Sequence, residues 1–269
     1  MKPLVLTLRA RPEQRLDLSA LVPHLIAGKR AAEIERIEIQ ATRRRVRVGD
    51  AFRLRMGDAA HIRIEQASDR LDGIGRGMAD GEIIVEGDVG CLAGQHMAGG
   101  FLRIHGNAGP WAASGMRAGT LEIGGDAADH VGAPFAGETV GMRGGIVVVR
   151  GDAGDHAGDR MRRGMILIEG APGRFAGSRM IAGSIIARRK AGALPGYLMR
   201  RGTIVLVGGA DLLSPTFADS GVHDLLALRL LATFVDTYSR PLSSALRRGL
   251  RRLAGDMAIS PHGEIFMPP

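Results

Sequence analysis

An all-β solenoid is the fold class this sequence predicts: a right-handed parallel β-helix of about seven regular 19-residue coils, with degenerate N-terminal coils and a helical C-terminal segment. Three observations predict it. Met78, Met97, Met116, Met142, Met161, Met180 and Met199 recur at intervals of 19 residues, broken once by an interval of 26. A fixed period of this size is the mark of one structural unit stacked on itself. Counted from its methionine, each unit has glycine at position +3 and, with one exception at Ala187, larger apolar residues at +5 and +7. Glycine returns at +9 in every unit but the sixth, where Arg189 stands. Period-2 alternation over a short β-branched run is a strand with one buried face, and the flanking glycines supply tight corners. A helix would reject so much glycine.

Along the chain, Leu4–Leu8 reads as a short strand and Asp17–Leu21 as the opening of a helical turn. Residues 31–39 alternate weakly. Val46–Asp50 and Ile62–Glu65 resemble worn copies of the strand-then-turn unit, and read either as one or two degenerate coils or as a cap that blocks the exposed stacking edge. Residues 1–45 are therefore expected to form an N-terminal cap region and residues 46–213 the β-helix. Within the coils, Ile83, Leu102, Leu121, Val147, Ile166, Ile185 and Ile204 at +5 should stack in one interior column. A second column at +14 runs Leu92, Trp111, His130, His156, Phe175, Leu194, Leu213. Position +10 is often Asp or Asn: Asp88, Asn107, Asp126, Asp152. The extra seven residues, around Pro134–Gly137, should bulge from one corner without breaking the stack. Residues 214–269 read as a helical extension and tail. Leu225, Leu228, Leu231 and Phe234/Val235 are at helical spacing, and Leu242, Leu246, Leu250 and Leu253 continue a second stripe after Pro241. Such helices either cap or flank the stack, or dock another subunit.

Composition bounds the function. The chain has 269 residues, enough for a sizeable core, yet only 4% aromatics and 40 glycines, which suits a solenoid better than an enzyme core. Cys91 is the single cysteine, so an intrachain disulfide and a cysteine metal cluster are excluded. No signal peptide and no 18-residue apolar stretch is evident, so a cytoplasmic protein with no membrane association is expected. The net charge of +8 comes almost wholly from arginine. Nucleic acid is not the expected partner, because no stacking platform, helix-turn-helix or zinc module accompanies the charge.

No nucleophile elbow and no P-loop is present, and the glycine-rich strings lie outside any βαβ unit. No catalytic residue and no metal site is expected. His130 and His156 are the one pair to weigh. Each follows an aspartate, Asp129 and Asp155, at the same place in adjacent coils, so they should lie on neighbouring rungs. The expectation is buried, stacked histidines without a metal.

The repeat G-x-h-x-h-x-G-[DN]-x-G, with h apolar, is similar to the C-terminal β-helix of the glutamate synthase large subunit. It resembles more closely the family of the formylmethanofuran dehydrogenase C subunit. The segments that carry this are Ala27-Gly28-Lys29…Glu33-Ile34…Ile37, then Val48-Gly49-Asp50-Ala51-Phe52, the seven coils, and the ending Ala254-Gly255-Asp256-Met257…Gly263-Glu264-Ile265-Phe266. In methylotrophic bacteria members of this family serve in a formyltransferase/hydrolase complex. The resemblance implies a non-catalytic scaffold subunit, with partners that are the amidohydrolase-like A subunit, the B subunit and the formyltransferase D subunit. That complex moves a formyl group from formyl-tetrahydromethanopterin to a methanofuran-type carrier and hydrolyses it to formate. A tungsten- or molybdenum-dependent formylmethanofuran dehydrogenase and a stand-alone glutamate-synthase-type β-helix are the alternatives. Carriers of this type bear a glutamate-rich tail, and the resemblance thereby makes Arg188, Arg189, Lys190, Arg200 and Arg201 a candidate basic patch to attract it.

Overall fold

The computed structural model describes residues 2–43, 45–259 and 262–269. The chain opens with β1 (Pro3–Leu8), β2 (Leu16–Asp17), α1 (Pro23–Ile26), α2 (Ala31–Glu35), β3 (Glu38–Ala41), β4 (Arg45–Arg47), α3 (Val48–Ala51) and β5 (Phe52–Arg55). β6 (Asp58–Ala67) and β7 (Leu71–Asp72) lead into the repeats. Each repeat then gives one strand: β8 (Glu82–Gly87), β9 (Phe101–Ile104), β10 (Thr120–Ile123), β11 (Arg143–Val149), β12 (Arg163–Ile168), β13 (Ser184–Ala187) and β14 (Arg201–Leu206). The chain closes with β15 (Ala218–His223), α4 (Leu226–Val235), α5 (Arg240–Leu246), β16 (Leu250–Gly255) and β17 (His262–Met267).

The protein is mostly β, built on a 13-stranded sheet in the order β15-β16-β17-β14-β13-β12-β11-β10-β9-β8-β6-β1-β5. β8 to β14 run parallel and in register, so that Ile83, Leu102, Leu121, Val147, Ile166, Ile185 and Ile204 pair successively. All seven are fully buried, as are the +7 residues from Val85 to Leu206. The insertion does not disturb this: Leu121 still pairs with Val147 across it. Two further lines of contact join successive repeats. Single parallel bridges link Val89, Ala108, Ala127, Ala153 and Pro172 in turn, and Ala191 with Ala210. Turn hydrogen bonds link Leu92 N to Pro110 O, Trp111 N to Asp129 O and His130 N to Asp155 O, and continue to Leu194. Each repeat thus meets the next along one strand and two bridged corners.

The methionine–glycine period has a packing cause. A Cβ built on Gly119 would lie 2.6 Å from Gly100 O and 2.8 Å from Met97 Cε, at a φ of +87°. The same methyl-under-glycine contact recurs from Met78 under Gly100 to Met180 under Gly202. Each methionine is fully buried beneath the corner of the following repeat, and only glycine leaves room for it.

Both ends of the sheet borrow strands from elsewhere in the chain. Ile62 and Ile64 of β6 pair with Ile83 and Val85, and Leu4 and Leu6 of β1 pair with Ile62 and Ile64. At the other end, Ile265 of β17 pairs with Ile204 and is fully buried. Three expectations are corrected here. Val46–Asp50 is not a worn copy of the repeat: β4 joins a small sheet, β4-β3-β2-β7, and Val48–Ala51 is a helical turn. Asp17–Leu21 holds a single turn, in which Leu21 N–H donates to Leu18 O at 2.9 Å, and the first helix begins only at Pro23. The second C-terminal stripe is half helix and half strand. α5 ends at Leu246, Gly249 interrupts, and Leu250 and Leu253 lie buried on β16. Short apolar spacings of three and four do not distinguish a helix from a twisted strand; the pairing partner decides.

α4 and α5 lie along the side of the sheet. Leu228, Ala232, Val235, Leu242 and Leu246 pack on Val148, Leu167, Ile186, Val205 and Phe266, which face outward from the strands. Among the described residues, no helix is long and apolar enough to cross a membrane.

Candidate functional site

The +14 column is not interior. Leu92, Trp111, His130, His156, Phe175 and Leu194 each adopt a positive φ, between 59° and 68°, and are half-exposed. The left-handed backbone turns these side chains outward at the corner while the following alanine or valine turns inward; Ala93, Ala112, Val131, Ala157 and Ala176 are buried. The histidines do lie on neighbouring rungs. Their rings stack at 5.2 Å, with Trp111 5.1 Å beyond His130 and Phe175 5.1 Å beyond His156, all within 10° of parallel. Phe135 from the insertion closes edge-on over Trp111 at 5.5 Å. The expectation of full burial is therefore corrected: this is a four-ring stack on the surface.

The aspartates beside these histidines serve the backbone. Asp129 Oδ1 accepts the N–H of Asp155 at 2.8 Å, and Asp155 Oδ1 accepts the N–H of Arg174 at 2.7 Å. Arg174 also forks onto Asp155 Oδ2 at 2.9 and 2.8 Å. No aspartate–histidine couple for general base work is formed by these contacts. Burial, then the neighbouring His156, pushes the His130 imidazole below its ordinary pKa. Nδ1 of His156 is buried without a hydrogen-bond partner. The +10 residues form a parallel side-chain ladder: Asp88, Asn107, Asp126 and Asp152 each accept the N–H of the residue at the same place in the next repeat, at 2.7 to 2.8 Å. These polar positions, conspicuous in the sequence, satisfy corner N–H groups that strands would otherwise pair.

Cys91 is half-buried beside Arg15 and Asp72. Burial and Asp72 push its thiol up, which is the wrong direction for a nucleophile. Among the described residues no three His, Cys, Asp or Glu side chains converge as a metal site. A surface depression of about 410 Å³ by Leu8, Ser68 and Asp69 is occupied at its edge by the Arg11–Asp69 ion pair, 3.0 Å.

The five-residue basic patch is divided between two places. Arg188, Arg189 and Lys190 follow β13, while Arg200 and Arg201 precede or open β14, at the opposite end of the strand. All five are exposed. Lys190 is paired with Asp211 at 2.8 Å and Arg189 lies 3.8 Å from Asp152. Arg200 instead borders a cavity of about 420 Å³ together with Arg160 and Arg179. Grouping by nearness along the chain joins residues that the fold separates. The signal for the true neighbours was the repeat position, since Arg117, Arg143, Arg162 and Arg200 all stand at +1.

A sequence signal for the helix seat was also available. Position +6 reads Ile84, Arg103, Glu122, then Val148, Leu167, Ile186, Val205. An outward position that turns apolar has something lying on it. At the border, Arg150 binds Glu122 at 2.6 Å and Glu169 at 2.5 Å, and donates to Tyr238 O at 2.9 Å; Ser239 Oγ donates to Glu169 at 2.7 Å.

No protein-family model matches the chain. One curated relative, the C subunit of the formyltransferase/hydrolase complex Fhc of Methylorubrum extorquens, is 43% identical over 86 residues, which is 31% of this chain and 32% of that protein. That alignment spans about a third of the curated relative's length. The fold matches a chain of the X-ray crystal structure of the formyltransferase/hydrolase complex (FhcABCD) from Methylorubrum extorquens in complex with methylofuran. There the TM-score is 0.93 and the identity 42%, over 98% of this chain and 99% of that one.

Proposed function

Because the chain belongs to the C-subunit family of formyltransferase/hydrolase complexes, we propose that it is the scaffold subunit of such a complex. Its partners are the A, B and D subunits of that assembly. The complex would pass a formyl group from formyl-tetrahydromethanopterin to a methanofuran-type carrier and release formate in the cytoplasm. Neither that carrier nor the pterin belongs to this chain in our reading, and the chain carries no catalytic residue of its own. The carrying observation is the near full-length correspondence with a chain of the FhcABCD structure. In support, the polar residues at the corners are committed to the backbone ladder, and among the described residues neither stacked histidine hydrogen-bonds a carboxylate.

We read the three lines of contact between repeats as the walls of a right-handed parallel β-helix. One wall is the sheet, and two are the bridged corners. On this reading the coils begin at β6 rather than at residue 46, and the segment from 214 onward both flanks the stack and supplies its last rung. A rigid stack of this kind offers long side walls on which other subunits are held in register. The guiding of a glutamate-rich tail by Arg188, Arg189, Lys190, Arg200 and Arg201 as one patch has no support in their divided placement. The test is co-purification. The tagged chain, isolated from its own cells, should bring down three further subunits identified by mass spectrometry, and the chain alone should not release formate from formylated carrier. Recovery of the chain by itself, from cells that hold the complex, would refute the scaffold role.

A further inference from the structure

The helix α4 is apolar on both of its sides. From Leu225 to Val235 the chain holds one charge, Arg229, and one hydroxyl, Thr233. Both are turned back on the chain: Arg229 Nε donates to Asp224 Oδ1 at 3.0 Å, and Thr233 Oγ1 donates to Arg229 O at 3.2 Å. The inner side, Leu228, Ala232 and Val235, is seated on the sheet. The outer side repeats Leu226, Leu230 and Phe234 at intervals of four, which is one line along a helix. These three are 69%, 64% and 47% exposed, and Phe234 closes the line against the Tyr238 ring at 5.5 Å. Among the described residues no other helix or strand exposes more than one large apolar side chain. A helix on the surface ordinarily keeps a polar outer face, and one that is apolar all round is covered on both sides.

The ridge is also fixed in place. Beyond its end, Ser239 Oγ donates to Glu169 at 2.7 Å and Arg150 donates to Tyr238 O at 2.9 Å, so the helix is tied to the strands it lies on. A pre-ordered anchor loses little freedom when it is covered. A second copy of the chain is a poor cover. Each stripe offers on the order of 300 Å², so two stripes crossed about a two-fold axis would bury about 600 Å², roughly half of the smallest standard interface. The flanks carry one sign as well: residues 224–250 hold four arginines, Arg229, Arg240, Arg247 and Arg248, against two aspartates, Asp224 and Asp236. Brought together by a two-fold axis, those flanks would repel. A different surface, larger than the stripe and bearing carboxylates at its margin, meets both requirements. Resting on the scaffold reading, we infer that the outer face of α4 is a docking ridge for another subunit of the complex, received in an apolar groove with an acidic rim, with Leu226, Leu230 and Phe234 as its anchors.

The test is made in cells that hold the complex, with the full-length tagged chain. The variant carrying L226Q, L230Q and F234Q keeps good helix formers on α4 and removes its anchors. Recovery of the docked subunit with it should fall at least about tenfold, as the loss of central apolar anchors does elsewhere. Its melting temperature as an isolated chain should match the parent's, since the three side chains are exposed. A control carrying L25Q and M56Q, two exposed apolar residues far from α4 in the sequence, should recover the subunits as the parent does. Reversing the flank with R240E, R247E and R248E should lower recovery about fivefold, and more at low salt than at high salt. A photo-reactive phenylalanine derivative in place of Leu230 should cross-link to one subunit of the purified complex. Undiminished recovery by the glutamine variant overturns the ridge, as does equal loss in the control; an undiminished charge-reversal variant overturns the acidic rim. Sedimentation of the isolated chain should show a monomer. A dimer that the glutamine variant dissolves overturns the inference in favour of a second copy. Flotation with vesicles of phosphatidylcholine and phosphatidylglycerol, abolished by the same variant, overturns it in favour of a lipid surface. If the parent recruits its subunits and the glutamine variant recruits them equally, the ridge fails and the scaffold reading stands. If the parent recruits none, the scaffold reading fails and the ridge with it.

Discussion

The first three repeats and the last four share one interior and differ on the outside. Inward, both halves present an unbroken aliphatic column at +5. Outward at +6, the early half shows Ile84, Arg103 and Glu122, with Arg103 and Glu122 paired at 2.9 Å, while the later half shows Val148, Leu167, Ile186 and Val205 beneath α4 and α5. The interior column is a statement about the stack alone. The exterior column records what the stack carries. A repeat protein therefore has to be read in two tracks, and only the outer one changes along the chain.

The sharpest break of this comparison is in the shared track. Ile166→Asp would place an unpaired charge in the +5 column at 0% exposure, costing several kcal/mol, about 3 to 5. Both halves should lose cooperative melting together. A variant that melts as the parent does would show that the column does not hold the stack.

Next is the track that differs. Ile186→Ala opens a cavity under the helices and should cost about 2 to 4 kcal/mol, whereas Ile84→Ala, half-exposed on the early half, should cost under about 1 kcal/mol. Chemical denaturation of the two variants measures the difference directly. Equal losses would mean that the helices do not stabilise the face they cover. The Ile186 variant should also show faster amide exchange in α4 and α5 than in β8.

Gly119→Ala tests the methionine seat. The added methyl group meets Gly100 O and Met97 Cε at a left-handed φ, for a loss of about 1 to 3 kcal/mol. Pairing it with Met97→Ala should restore part of the loss, because one contact partner has gone; the carbonyl contact would remain. A simple sum of the two single losses would contradict the shared seat.

The smallest effect belongs to the ring stack that crosses the boundary between the halves. In the unfolded chain His130 titrates at its ordinary value of about 6.5, whereas burial and His156 hold the folded imidazole lower. The folded form therefore binds fewer protons. Its stabilisation is complete above about pH 6.5 and is lost as pH falls below that value. Melting curves between pH 8 and 5 should show a decline that His130→Phe reduces, since phenylalanine keeps the stacking and cannot be protonated.

What was legible in the sequence follows the same two tracks. The +5 column was placed residue by residue, because period and alternation report on stacking alone. The +14 column was located correctly and faced wrongly. Composition at Leu92, Trp111 and Phe175 looks interior, and only the positive φ, invisible without coordinates, turns these residues outward. The tail was misread where its strands pair with distant ones. Leu253 sits opposite Ile265 and Leu250 opposite His223, by long-range register rather than local spacing. The basic patch failed for the converse reason. Proximity along the chain put Arg188 with Arg200, although repeat position puts Arg200 with Arg162 and Arg143.

The borrowed end strands have a consequence for size. From β1 to β17 the parallel run contains ten strands, and beyond it on each side lies an antiparallel strand, β5 or β16. An antiparallel neighbour offers the wrong direction and spacing of hydrogen bonds to a further identical unit, so the array is terminated at both margins. Nine steps of about 4.8 Å give a span of about 43 Å. The chain is in this sense a ruler: lengthening it requires a whole period inserted in the middle, and anything fastened near its two margins is kept at a distance written into the gene by counting.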